Sequence, residues 1–214
     1  MLPHDASSYA DLRARFDWDI PERFNIGTAI CDAWADRDPS RNALIYVKEG
    51  GDTATYTYAD MKRLSNQLAN LLVASGVQPG DRVGVLLPQQ PETAYAHIAA
   101  LKTGAISIPL FTLFGEEALE YRLRDSGTKV VITDRSGAAK LEPLRDRLPH
   151  LSAVFCVDGE DSGADDLASH MAGHITEFKA FDTGPDDPAI IIYTSGTTGQ
   201  PKGALHGHKV LLGH

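Results

Sequence analysis

No apolar run in this chain comes near the roughly 20 residues needed to cross a hydrocarbon core. The opening stretch MLPHDASSYADLRARF has neither the basic region nor the apolar core of a secretory signal, which points to the cytoplasm. Cysteine is nearly absent. Cys31 and Cys156 are too few to make a zinc site alone, and both stand among apolar neighbours, so they read as buried thiols rather than a disulfide or a nucleophile. Positive charge is short as well: 20 Lys+Arg face 29 Asp+Glu, a net charge of −9. No basic run is interleaved with aromatics, so a nucleic-acid surface is excluded. A small polyanion is not, because a local nest of backbone N–H groups binds phosphate whatever the net charge. No internal repeat or low-complexity tract is present.

What is there is ordinary globular material. The 214 residues are 43% hydrophobic and 23% charged, enough for one large or two small domains. After an irregular lead, IGTAICDAWADRDP places Ile26, Ala29, Ile30, Ala33 and Trp34 at helical spacing, ended by Pro39. ALIYVKEGGDTATYTY reads as two strands around a Glu-Gly-Gly-Asp turn. In TYADMKRLSNQLANLLVASG, Thr57 and Asp60 form a capping-box pair, and Met61, Leu64, Leu68, Leu71 and Leu72 share one helical face. Gly76 then suits the helix end.

From there, strand and helix patterns alternate: RVGVLL, PETAYAHIAALKTG, AISIPL, GEEALEYRLRDSG, KVVITD, GAAKLEPLRDRL, SAVFCVD. Alternation this regular implies right-handed βαβ units. The fold class is therefore α/β: a parallel sheet with βαβ units flanked by helices, plus an N-terminal β-hairpin. The acidic, glycine-rich segment from about Gly159 to Asp187 reads as a solvated loop with a short piece of helix.

The chemistry concentrates in PAIIIYTSGTTGQPKG. Ala189 to Tyr193 read as an apolar strand inside the sheet, and the chain leaves it at the edge where open α/β sheets bind ligands. Thr194, Ser195, Thr197 and Thr198 crowd hydroxyl donors together. Gly196 and Gly199 permit close backbone approach, and Lys202 adds a positive charge. Every one of these groups donates to, or neutralises, an oxyanion, and a polyphosphate is the natural guest. The Walker A loop G-x-x-x-x-G-K-[ST] does not fit: the spacing here is Gly196-x-x-Gly199-x-x-Lys202, and Gly203 stands where a magnesium-binding Ser or Thr would be. GALHGH is a weak start for the helix that should follow a Walker lysine, and HKVLLGH reads as a helix with Val210, Leu211 and Leu212 uncovered.

YTSGTTGQPKG resembles the signature of the adenylate-forming (AMP-binding) superfamily. The likeness continues in GVQPGDRVGVLLPQQPETAYAHIAALKTGAISIPL, in EEALEYRLRDSGTKVVITD and in the hairpin–helix segment, and so covers nearly the whole chain in order. The lead FNIGTAICDAWADRDPSRNALIY is most similar to the acetyl-CoA and medium-chain acyl-CoA synthetase branch. The resemblance implies a lead over residues 1–40 and a partial AMP-binding domain over 41–214, the N-terminal portion of the large domain of an adenylate-forming enzyme. It implies ATP with Mg²⁺, a small carboxylic acid and coenzyme A as reactants, and a phosphate-binding role for Thr194, Ser195, Gly196, Thr197, Thr198, Gly199 and Lys202. His206 and His208 are expected to be structural or solvent-facing. The family's aromatic-Gly-x-Thr-Glu segment, whose Glu would hold magnesium, does not occur before His214. The expectation is an N-terminal portion of a longer ligase, inactive alone and with no catalytic residue or metal site of its own. The alternatives are a peptide-synthetase adenylation domain and a stand-alone phosphate- or nucleotide-binding module.

Overall fold

The structure, a computed structural model, describes residues 5–48, 50–161, 163–195 and 199–213. Helix α1 (Tyr9–Arg15) is capped by the Ser8 side chain and buries none of its residues. The helical spacing at Ile26–Trp34 becomes one continuous stretch, π-wound over Thr28–Asp32 and α-helical over α2 (Ala33–Arg37). Strands β1 (Asn42–Val47) and β2 (Thr53–Thr57) form the antiparallel hairpin. Helix α3 (Tyr58–Ala74) starts in the anticipated capping box, with Thr57 Oγ1 accepting from Asp60 N–H and the Asp60 carboxylate accepting from Thr57 N–H.

The alternating region follows as β3 (Arg82–Leu86), α4 (Pro91–Lys102), β4 (Ile106–Pro109), α5 (Glu116–Ser126), β5 (Val130–Thr133), α6 (Arg135–Leu141) and β6 (Ala153–Cys156). Helix α6 runs on as a 3₁₀ turn over Glu142–Arg147. Then come β7 (Asp165–Asp166), α7 (Leu167–Ala172), β8 (Pro188–Thr194), β9 (Lys202–Gly207) and a 3₁₀ helix over His208–Gly213. Among the described residues the main sheet has seven strands in the order β7-β6-β5-β3-β4-β8-β9; all pair in parallel except β8 with β9, which are antiparallel.

Period-two alternation divides the strands between two layers. Val83, Val85, Val130, Ile132 and Phe155 pack with α3 and α4, whereas Leu86, Val131, Val154 and Cys156 pack with α5 and α6. Each such side chain contributes about 1.5–3 kcal/mol on burial. Among the described residues, two cationic side chains are buried, Lys102 and Arg122. Lys102, at the end of α4 and fully buried, directs its ammonium to the Asp32 carboxylate at 2.5 Å, Ser65 Oγ at 2.8 Å and Asn66 Oδ1 at 2.8 Å. The ammonium thus has one ion pair and two hydrogen bonds, and α4 is tied to α3 and to the π-turn. Both cysteines are buried and unpaired.

GALHGH, a weak helix start in sequence, starts no helix: Gly203–Gly207 complete strand β9, laid antiparallel on β8. Three expectations need correction. The terminal segment is 3₁₀, and Val210 and Leu211 are not left uncovered: they pack on a cluster of Ile26, Leu101 and Ala189. Strand β8 lies inside the sheet, but Ile190 and Ile191 are only half-buried and Ile192 is exposed. The acidic segment contributes an unforeseen edge strand, β7. No helix among the described residues is long and apolar enough to cross a membrane.

Candidate phosphate-binding site

Strand β8 ends at Thr194 and β9 begins at Lys202, and these two residues face each other in the ladder. The loop between them is therefore closed at its base. Thr194, Ser195, Gly199 and Lys202 are exposed, and Gly199 has φ +93°, a conformation that favours glycine. The remaining anticipated residues, Gly196, Thr197 and Thr198, lie outside the described residues.

The position of the loop follows from topology. Because β8 runs parallel to β4, its carboxyl end lies at the same sheet edge as those of β3 and β4. The chain leaves β3 for α4 on one face and leaves β4 for α5 on the other. Adjacent strands whose connections depart to opposite faces make the crevice in which open α/β sheets bind ligands. A groove of about 320 Å³ opens there, lined mainly by apolar groups including Leu87, Leu110, Phe111, Phe114 and Ile192. His97 of α4 supplies a polar point in its wall, with Nδ1 2.6 Å from Ser107 Oγ. Burial pushes the His97 pKa down to about 4, so at neutral pH it is a neutral hydrogen-bonding group and not a cation.

Of the two histidines after the loop, His208 is fully buried, and its Nδ1 accepts the Ile26 backbone N–H at 3.0 Å. Burial lowers its pKa. It fastens the lead to the end of β9.

Sequence reading missed the residues that support the loop. Tyr193, the last ring before it, donates to the Asp125 carboxylate at 2.6 Å and lies 3.3 Å from the Arg122 carbonyl, both on α5. The Arg122 guanidinium lies 4.0 Å from the Phe114 ring and 5.7 Å from the Tyr193 ring. Tyr121 meets Tyr193 edge-on at 6.5 Å and donates to the Pro201 carbonyl at 3.0 Å. Gly203 lies opposite Tyr193 in the ladder; a Cβ there would come within 2.9 Å of Ile191 Cγ2 and 3.2 Å of Tyr193 Cζ. The glycine of PKG is thus room for the tyrosine ring. Sequence carried little signal for this, because the pairs Tyr121–Pro201 and Asp125–Tyr193 are 80 and 68 residues apart in the chain.

Among the described residues no group of three or more His, Cys, Asp or Glu could hold a metal ion. They do not make a magnesium site.

The sheet is a mostly parallel α/β sheet with a hydroxyl- and glycine-rich stretch leaving it at the switch-point edge, and the family model described as AMP-binding enzyme matches residues 31–213. The chain belongs to the AMP-binding enzyme family. It is 33% identical to the acetyl-coenzyme A synthetase of Bacillus subtilis over 98% of this chain and 38% of that protein. The crystal structure of an acyl-CoA synthetase from Brucella canis superposes with a TM-score of 0.84 at 28% identity, covering 96% of this chain and 39% of that one. An anthranilate CoA ligase, crystallised in complex with anthranoyl-AMP, superposes with a TM-score of 0.79 at 27% identity, covering 89% of this chain and 36% of that one. The chain thus spans well under half the length of each of these relatives.

Proposed function

We propose that this chain supplies the N-terminal portion of an AMP-forming acid–thiol ligase, with residues 1–40 as a lead and 41–214 as part of the AMP-binding domain. The ligase joins a carboxylic acid to coenzyme A in two steps. A carboxylate oxygen attacks the α-phosphorus of ATP, the bond to the β-phosphate breaks, and an acyl-adenylate and pyrophosphate result. The thiol of coenzyme A then attacks the acyl carbon, AMP leaves, and a thioester forms. A free carboxylate resists nucleophiles, and AMP converts it into an electrophile with a good leaving group. ATP enters as its magnesium complex, the metal arriving with the nucleotide.

In this proposal the loop from Thr194 to Lys202 cradles the β- and γ-phosphates and then the departing pyrophosphate. Thr194, Ser195, Thr197 and Thr198 donate, Gly196 and Gly199 allow close approach, and Lys202 neutralises charge. Fixed donors at such a position stabilise the charge that develops as the phosphate bond breaks. The observation that carries this reading is the hairpin closed by Thr194 and Lys202 beside the switch-point groove. The anthranilate ligase's bound acyl-adenylate supports the reaction type, and two unpaired cysteines suit a reducing cytoplasm.

The test is carboxylate-dependent ATP–pyrophosphate exchange by the natural full-length protein, with acids of graded chain length. Exchange with at least one free acid, and AMP release on adding coenzyme A, is the expected result. Exchange that coenzyme A cannot discharge would favour a peptide-synthetase adenylation domain. ATP binding without exchange for any acid would leave only a phosphate-binding module and end the ligase reading.

A further inference from the structure

Both arms of the hairpin that carries the loop are fastened to one helix. On the arm entering the loop, the Tyr193 hydroxyl reaches the Asp125 carboxylate at 2.6 Å, under the Arg122 guanidinium. On the returning arm, the Tyr121 hydroxyl donates to the Pro201 carbonyl at 3.0 Å, one residue before Lys202. Beyond its ladder with β8, the returning arm meets α5 across open space. An open groove of about 720 Å³ lies along α5 there, lined by Glu117, Tyr121, Arg124, Asp125, Gln200 and Pro201. The hydroxyl contact is what spans it. Gly203 keeps the seat of the Tyr193 ring clear. Burial and the Asp125 charge raise the Tyr193 pKa, so its hydroxyl stays protonated and remains a donor.

We propose that α5 is the positioning platform of the phosphate loop, with Tyr193 acting through Asp125 on one arm and Tyr121 acting on the other. These are positioning residues: the ladder pairs Thr194 with Lys202, and the α5 contacts fix where that paired base of the loop stands on the sheet edge. That the loop's guest is ATP rests on the function proposed above. That α5 holds the loop does not.

The test uses the natural full-length protein with Tyr121→Phe, Asp125→Ala and Asp125→Asn. Two measurements are made: amide hydrogen exchange of residues 199–203, and the KM values for ATP and for the acid in pyrophosphate exchange. Each of Tyr121→Phe and Asp125→Ala should speed amide exchange and raise the KM for ATP about three- to tenfold, the equivalent of one lost hydrogen bond. The KM for the acid and the Tm should hold. Asp125→Asn, which keeps an acceptor for Tyr193, should behave like the wild type. Unchanged amide exchange in both Tyr121→Phe and Asp125→Ala overturns the proposal. So does a fall in Tm with both KM values rising together, which marks a merely structural role. If the wild type uses no ATP with any acid, the ligase reading fails, and amide exchange alone decides the platform.

Discussion

At the scale of single residues, Lys102 is a fully buried cation paired with the Asp32 carboxylate and hydrogen-bonded to Ser65 and Asn66. Replacing Lys102 by Met would keep the stem's volume and leave the Asp32 carboxylate, Ser65 and Asn66 facing no charge. Breaking such a pair from one side costs about 3–5 kcal/mol. Urea unfolding of Lys102→Met at pH 7 should show a loss of that order, and a change within about 0.5 kcal/mol, the range of ordinary surface substitutions, would contradict it. His97 gives the pH counterpart. Its folded pKa, about 4, lies below the ordinary 6.5. Between those values the unfolded chain binds more protons than the folded one, so the stability from neutral His97 is complete above pH 6.5 and lost as pH falls toward 4. Wild-type protein should lose on the order of 2–3 kcal/mol across that window. His208, whose pKa is also lowered, adds a slope of the same sign. His97→Gln should flatten most of the decline in urea midpoints between pH 7 and pH 4.5; an unaltered slope would contradict the assignment.

At the scale of elements, the parts legible from sequence are those whose signals are local. The Thr57–Asp60 capping box and the stripe of Met61, Leu68, Leu71 and Leu72 were readable because helix starts and faces repeat within a few residues. Thr57→Ala should cost about 1 kcal/mol in chemical denaturation, with α3 otherwise intact. Strand β9 was unreadable for the opposite reason. Lys202 to Leu205 are exposed and two glycines interrupt it, so no alternating apolar pattern exists. Its conformation comes from pairing with β8, a tertiary effect that overrides weak propensity. The same pairing explains Gly203. Gly203→Ala should displace the Tyr193 ring at a cost of about 1–3 kcal/mol and weaken the Tyr193–Asp125 contact. A fall in thermal stability and a changed tyrosine environment in near-ultraviolet circular dichroism would report this, whereas an unchanged spectrum and Tm would contradict it.

At the scale of the whole molecule, the α/β class and the parallel sheet followed from the alternation of Val83–Leu86, Ile106–Pro109 and Val130–Thr133 with helical segments. Strand order did not, since β5 returning to the far side of β3 is a long-range choice. That order creates the crevice at the ends of β3 and β4 and sets the β8–β9 loop beside it. The loop residues were legible as chemistry, because hydroxyls, glycines and a lysine in ten positions point to phosphate. Their support by Tyr121, Asp125 and Arg122 was not, because it exists only once α5 lies under β8.

The central claim is that this loop handles the phosphates of ATP, and Lys202 tests it most directly. Lys202 is exposed, so truncating it should leave the fold alone. In the full-length protein, Lys202→Ala should slow acid-dependent ATP–pyrophosphate exchange about tenfold or more at limiting ATP, in line with losing a charge-assisted contact of about 1.5–3 kcal/mol, while Tm stays within a degree or so. An exchange rate equal to wild type at limiting ATP would contradict the account.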